Sequence, residues 1–292
     1  MLIFSRKKSN LVKMSKGQQI TFSIVFVIFT IYAIMLLYPL FWGILASLKT
    51  HDEFIMDRFG MPTTFLFSNY ITAFREFKIG DSNLFGMIFN SLWYTAAKAT
   101  IPIATTVCFS YVMCKYRFWG RNLLWTVNLV VMVLPIVGAG PAAYKLYASL
   151  GMVNSPLFIL GMFSAFGSTF LIVRSYFESI SWSYAEASFI DGGSDWYTFL
   201  HVMLPQAKPI VITFVVLGAI GAWNDYSTPL IYLPAYPTLA LGIYQFEINM
   251  VYGGSYPIFF AAMMMSMVPV LIAFILFQDQ IMGNLSIGGL KG

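Results

Sequence analysis

Residues 20–48 carry no charged side chain, and that run limits the possible folds more than any other feature of the chain. A helix that crosses a bilayer needs about 20 mostly apolar residues. In hydrocarbon only a helix or a closed barrel can satisfy its own backbone. A basic segment (Arg6, Lys7, Lys8, Lys13, Lys16) precedes the run, as in a secretory signal. The run is too long for a signal and lacks a small-residue cleavage site, so it is expected to remain as an anchor. Further apolar runs lie at about residues 86–114, 123–150, 156–176, 210–233 and 258–277. Charged residues make up 10% of the chain, against about 25% in soluble domains. The expected fold is all-α and integral to the membrane, with six transmembrane helices.

Basic residues set the expected orientation. Eleven of the 17 fall in segments placed inside: the five already named, Lys115, Arg117, Arg121, Arg174, Lys208 and Lys291. Lys49, Arg58, Arg75, Lys78 and Lys145 fall outside, and Lys98 lies within a span. Inside-positive bias puts both termini in the cytosol. The net charge of +5 is therefore read as topology and not as affinity for nucleic acid. Residues 1–19 form a cytosolic segment, and 20–82 the first span and an outer loop. That loop holds a short capped helix around Phe67, Ser68, Asn69, Tyr70 and Phe74. Pro39 is a candidate kink in the first span, and Leu134-Pro135 with Gly138–Pro141 breaks the third. Residues 83–280 form the core, and 281–292 a glycine-rich cytosolic tail. Cys108 and Cys114 are too few, and too deep in an apolar run, for a disulfide framework or a metal site.

Residues 181–209 are a patterned polar interruption. Ser183 with Glu186 three positions on is a capping box, which starts a helix. Asp191-Gly192-Gly193 ends it, because glycine supplies the left-handed conformation of a helix stop. Ser194 and Asp195 cap a second helix. Its residues Trp196, Phe199, Leu200 and Met203 share one face. Pro205 and Pro209 are expected to end that helix before the next span.

The series Glu186-Ala187-Ser188, Asp191-Gly192 and Leu204-Pro205 resembles the EAA motif of type I ABC importer permeases. Ser188, Phe189 and Gly193 depart from the usual pattern. In that family the helix-turn-helix sits in a cleft of the ATPase subunit. The resemblance therefore assigns Glu186, Ala187, Asp191, Gly192, Trp196, Leu204 and Pro205 to ATPase coupling. It implies a homologous second permease, an ATPase dimer and an extracytoplasmic solute-binding protein as partners. It also implies alternating access as the mechanism, in the plasma (inner) membrane of a prokaryote.

No Gly-x-x-x-x-Gly-Lys-Ser/Thr loop occurs, so the chain has no site of that kind for ATP phosphates. No zinc-protease, nucleophile-elbow or paired-Cys pattern occurs either. The chain is expected to be no enzyme and to carry no cofactor or metal, with ATP and Mg on the partner ATPase. His201 is expected to be solvated or to face that ATPase, and Met263, Met264, Met265 and Met267 to be apolar filler.

Polar residues inside hydrocarbon are costly and face protein or water. Trp223-Asn224-Asp225-Tyr226 in the fifth run is either a hydrogen-bond knot between helices or part of the solute pathway. It resembles the Trp-Asn-Asp/Glu segment of sugar-importer permeases. Lys98 is expected to contact substrate or to pair with an acid in another subunit. Tyr144, Tyr147, Trp223 and Tyr226 offer aromatic faces for a sugar. The segment with Gly242, Phe246, Glu247 and Tyr252 resembles the outer loop that maltose-type permeases present to their binding protein. The tail ending in Lys291-Gly292 is similar to that of the same subfamily. Together these features imply the carbohydrate branch, similar to the G-type subunit of maltose transporters. Two alternatives stay open: a permease for another small polar solute, and a stand-alone secondary transporter with no use for a docking loop.

Overall fold

The computed structural model describes residues 15–134, 138–250 and 254–285, all helix and connecting turns apart from one isolated bridge between Ile79 and Ser82. In order the helices are α1 (Lys16–Ser47), α2 (His51–Met56), α3 (Ser68–Glu76), α4 (Leu84–Lys115), α5 (Arg121–Val133), α6 (Ala139–Ser149) and α7 (Ser168–Ser179). They continue as α8 (Ser183–Ile190), α9 (Asp195–Thr198), α10 (Leu204–Trp223), α11 (Ser227–Tyr232), α12 (Leu239–Met250) and α13 (Tyr256–Leu285). Among the described residues three helical stretches are long and apolar enough to cross a membrane: Lys16–Ser47, Leu84–Lys115 and Asp195–Trp223. Arg121–Val133 and Tyr256–Ile272 are shorter apolar helices. Residues 1–14, most of the glycine-rich tail, Pro135 and Tyr252 lie outside the described residues.

Small residues let these helices approach, as expected where lipid removes the hydrophobic drive for association and close packing must supply it. A Cβ on Gly218 of α10 would sit 3.3 Å from the Ala99 Cα of α4, so the two backbones nearly touch there. Ala261 and Ala262 of α13 are fully buried. A Cβ on Gly43 of α1 would come within 2.9 Å of the Met264 Cε. Only the last turns of α1 are covered (Gly43, Ala46, Ser47); from Ile20 to Phe41 it is exposed on every side. Pro39 lies inside α1 without ending it.

The fourth apolar run is not one helix. It opens as a 3-10 turn, Pro156–Met162, and becomes α-helical only at Ser168, after Gly167 at φ 123°. The break is held by polar side chains on α4 and α5. The fully buried Asn128 accepts the Gly167 N–H at 2.7 Å, and Thr106 donates to the Ser164 carbonyl at 3.0 Å. Irregular backbone at membrane depth survives where such partners satisfy it.

Between α1 and α4 the polar loop folds back on itself. Lys49, placed in the outer loop, is fully buried there and donates to the Asp57 carbonyl at 2.6 Å. Asp57 accepts the backbone N–H groups of Gly60 and Phe59, which hold its carboxyl below the usual range. Helix α3 forms where expected, but no side chain caps it. Asn69 bonds the Ser47 and Lys49 carbonyls instead, at 2.8 Å each.

Candidate functional site

Residues 181–203 are built onto the bundle and do not hang from it. Ala185 of α8, Phe199 and Met203 are buried in one cluster with Ile103, Val107 and Tyr111 of α4, Val173 and Phe177 of α7, and Ala207 of α10. Tyr116 at the end of α4 donates to the Asp195 Oδ1 at 2.8 Å, and Lys115 to the Ile180 carbonyl at 2.7 Å. Burial, then the neighbouring Tyr111 and Asp195, push the Tyr116 phenol well above its usual range, so it stays a proton donor.

The segment differs from expectation at its first cap, at its prolines and in its apolar face. Ser183 does not cap α8: Trp182 takes the cap position and the Ser183 hydroxyl pairs with Ser181 at 2.8 Å. With the chain already helical at Trp182, its carbonyl takes the Glu186 N–H at 3.1 Å, and the capping box has no donor left to satisfy. The prolines do not end the second helix. It runs on through a π-helical turn, Phe199–Met203, into α10, with Pro205 in the first turn and Pro209 inside. Pro205 lacks an N–H and its ring would crowd the carbonyl four residues back. A wider turn of i→i+5 bonds just before it relieves both problems.

Other features stand as read. Helix α8 ends at Ile190, Gly192 sits at φ 83°, and Ser194 accepts the Tyr197 N–H at 3.2 Å. Ser188 and Thr198, both buried, join the two helices through a 2.8 Å hydroxyl pair. Glu186, Ala187, Asp191, Gly192, Trp196 and Pro205 are exposed, whereas Leu204 is half-buried against the core. The face Trp196, Phe199, Leu200, Met203 is split by the π turn: Phe199 and Met203 go inward, while Trp196 (66% exposed) and Leu200 (48%) do not. His201 is exposed, with its ring stacked on Tyr197 at 4.4 Å.

Two departures from the EAA pattern, Ser188 and Gly193, lie against each other. A Cβ on Gly193 would lie 2.6 Å from the Ser188 Oγ and 2.8 Å from the Ser188 carbonyl oxygen. Glycine at 193 therefore goes with serine at 188. Gly193→Ala should force α8 and α9 apart and, if the segment acts as the EAA resemblance implies, lower uptake several-fold. Adding Ser188→Ala should restore part of it, since the backbone contact remains. Uptake by the single and double variants measures this, and equal uptake by the two would refute the linkage.

At the other end of α10 the helix stops at Trp223 and restarts as α11. Lys98 of α4 forms an ion pair with Asp225, which lies in that break. Tyr94, one turn before Lys98 and 1% exposed, donates to the Asp225 Oδ2 at 2.6 Å. The Oδ1 accepts from Ser227 at 3.0 Å and from the Thr228 N–H at 3.1 Å, which starts α11. This corrects the expectation for Lys98: its acid is in the same chain, because the close crossing at Gly218 and Ala99 puts the two residues face to face. Tyr94 and Thr228 were not anticipated. Their signal was a single helical turn from each charged residue.

Asn224 and Tyr226 flank the pair and are exposed, with Tyr226 stacked on Tyr244 at 4.3 Å. Tyr144 is not brought to this site. It packs on Tyr232, as does Tyr147, in a separate aromatic cluster with Phe158. The segment expected as an outer loop is helical over α12. Gly242 is buried under it, since a Cβ there would meet Met87 at 2.8 Å and Phe77 at 2.9 Å. Phe246 packs edge-on against Phe77 at 5.5 Å. Gly242 is thus buried where a surface contact was expected, whereas Phe246 is half-buried and Glu247 exposed. No cluster of three or more His, Cys, Asp or Glu that could hold a metal occurs among the described residues.

Comparison with known proteins places this geometry. The family of binding-protein-dependent transport system inner membrane components matches residues 106–281. The diacetylchitobiose uptake system permease protein NgcG of Streptomyces coelicolor is 27% identical over 88% of this chain and 85% of its own length. The maltose/maltodextrin transport system permease protein MalG of Vibrio vulnificus is 29% identical over 70% of this chain and 72% of its own. In fold, the chain is similar to one in a bacterial ABC transporter involved in the import of the acidic polysaccharide alginate. That match has a TM-score of 0.75 and 24% identity, over 92% of this chain and 99% of the other.

Proposed function

Since this chain belongs to the family of binding-protein-dependent transport system inner membrane components, we propose that it is the permease subunit of an ABC importer for a sugar or oligosaccharide. The observation that carries this reading is the segment 181–203, an exposed helix-turn-helix fixed by Gly192 and fused into the bundle core through Ala185, Phe199 and Met203. Such a part has a use only if something outside the chain pushes it. The sugar assignment is supported by relatives named for diacetylchitobiose and for maltose and maltodextrin.

The chain crosses the inner membrane six times with both termini in the cytosol. Helices α1, α4 and α13 each supply one pass, α5 with α6 another, the 3-10 turn with α7 the fifth, and α10 with α11 the last. ATP hydrolysis belongs to a separate ATPase pair whose closure draws the two coupling segments together. Rigid-body tilting then opens the cavity to the other side. Glu186, Ala187, Asp191, Gly192, Trp196 and Pro205 form the docking surface, and Leu204 anchors it. Trp223, Asn224 and Tyr226 face the pathway, with Lys98 and Asp225 as their support. Glu247 lies toward the solute-binding protein.

Affinity purification from mild detergent is the test. A second permease and an ATPase should come with this chain, and proteoliposomes of that complex should import saccharide only with ATP and the binding protein. Ion-gradient-driven transport by the purified chain alone would overturn the reading in favour of a secondary transporter.

A further inference from the structure

The break after α10, together with α12 and α13, encloses a groove of about 500 Å3 lined by Trp223, Asn224, Tyr226, Tyr244, Glu247 and Ser266, among others. That volume is within the range of about 300–1,000 Å3 usual for small-molecule sites. We infer that this groove is a saccharide subsite on this chain, and that it takes neutral sugar residues in preference to uronates. The inference rests on the importer reading above and adds which chemistry the site accepts.

A pyranose has an apolar face and a hydroxyl edge, and the groove offers both complements. Tyr226 and Tyr244, stacked at 4.3 Å with 20° between their planes, hold each other in place and leave an outer ring face free for a sugar. Asn224 uses one amide hydrogen on the Ile220 carbonyl at 2.9 Å, which sets its orientation. Its own carbonyl oxygen has no hydrogen bond among the described residues and can accept a sugar hydroxyl. Glu247 is exposed and makes no ion pair among the described residues. An ionised carboxylate is acceptor-only, which suits a pair of vicinal hydroxyls and makes charge-assisted bonds with them.

The choice between neutral and acidic sugars follows from the nearby charges. Lys98 lines an adjoining hollow that shares Asn224 and Tyr226 with the groove. It would be the natural partner of a uronate, but Asp225 already neutralises it. Among the described residues that line the groove the remaining free charge is Glu247, and a uronate carboxylate beside it meets like-charge repulsion. This face is therefore tuned differently from what an importer of an acidic polysaccharide needs.

The test uses the purified complex of this chain with its partner permease and ATPase pair, without the solute-binding protein, whose own specificity would mask the site. Equilibrium binding is measured for labelled galactotriose, arabinotriose, diacetylchitobiose and trigalacturonate. At least one neutral probe should bind about tenfold or more tighter than trigalacturonate. Glu247→Gln should weaken that neutral probe about tenfold, and Glu247→Lys should reverse the preference. Since Glu247 is exposed, both variants should assemble normally, which co-purification checks. Trigalacturonate binding as tightly as every neutral probe would overturn the inference. So would a preference that Glu247→Lys leaves unmoved in a complex that co-purifies intact. Absence of ATP-driven uptake of all four probes by the wild-type complex would instead count against the importer reading itself.

Discussion

Gly192→Val is expected to abolish ATP-driven uptake while leaving the amount of inserted protein unchanged. Gly192 holds φ 83°, and no atom lies within 4 Å of where a Cβ would stand. The Cβ therefore meets no clash within the chain, and the main effect of the substitution is on the backbone. Left-handed geometry costs an L residue about 1–2 kcal/mol, and a β-branched one adopts it as a genuine outlier. The turn would relax by rotating α8 against α9. The apolar spans that drive insertion lie outside the turn, so insertion survives, but the rotation strains the packing of Ala185 beside Phe199 and Met203 and the docking surface would no longer meet its cleft. Gly192→Asn, similar in bulk but tolerant of positive φ, should retain most activity. Uptake into membrane vesicles, normalised to immunoblotted protein, decides the matter. Normal uptake by the Val variant would show that the turn transmits no force, and equal loss in the Asn variant would point to bulk and not backbone.

The second large effect is expected at the Lys98–Asp225 pair. Removing one partner of a buried pair leaves an uncompensated charge and costs about 3–5 kcal/mol. The Lys98 side chain is 34% exposed and that of Asp225 10%, so the lower end of that range applies. Asp225→Asn should be the more damaging change, because Asp225 also gathers Tyr94, Ser227 and Thr228 and starts α11. Lys98→Met leaves those three donors in place and should be milder. The double variant should recover most of the lost stability, since no charge is then stranded. Thermal melting of the detergent-solubilised complex supplies the four corners of the cycle. Strictly additive losses would mean that the pair is not an energetic unit.

The outcomes at these two places differ in how early they could be read. A helix stop needs local chemistry only, so Asp191-Gly192-Gly193 and Ser194 announced the coupling turn from sequence spacing. Ser183 with Glu186 was equally local yet did not cap, because the chain was already helical at Trp182. Pro205 was read as a terminator, but a π turn absorbed it, since the helix had core contacts on both sides to preserve. Gly242 and Phe246 look like loop residues in one dimension. Their packing follows from Met87 and Phe77, more than 150 positions away.

By itself, the amino-acid sequence determined that this is a helical membrane chain with a glycine-stopped polar turn and no Gly-x-x-x-x-Gly-Lys-Ser/Thr loop. Run length, charge scarcity and glycine placement act over a few turns and need no knowledge of neighbours. Only the tertiary structure decided that Lys98 is neutralised by Asp225, that Asn128 holds the break before α7, and that Asn224, Tyr226 and Glu247 share a groove. Those pairings depend on which helices cross and how closely. Contacts such as Gly218 on Ala99, distant in the chain, set that closeness.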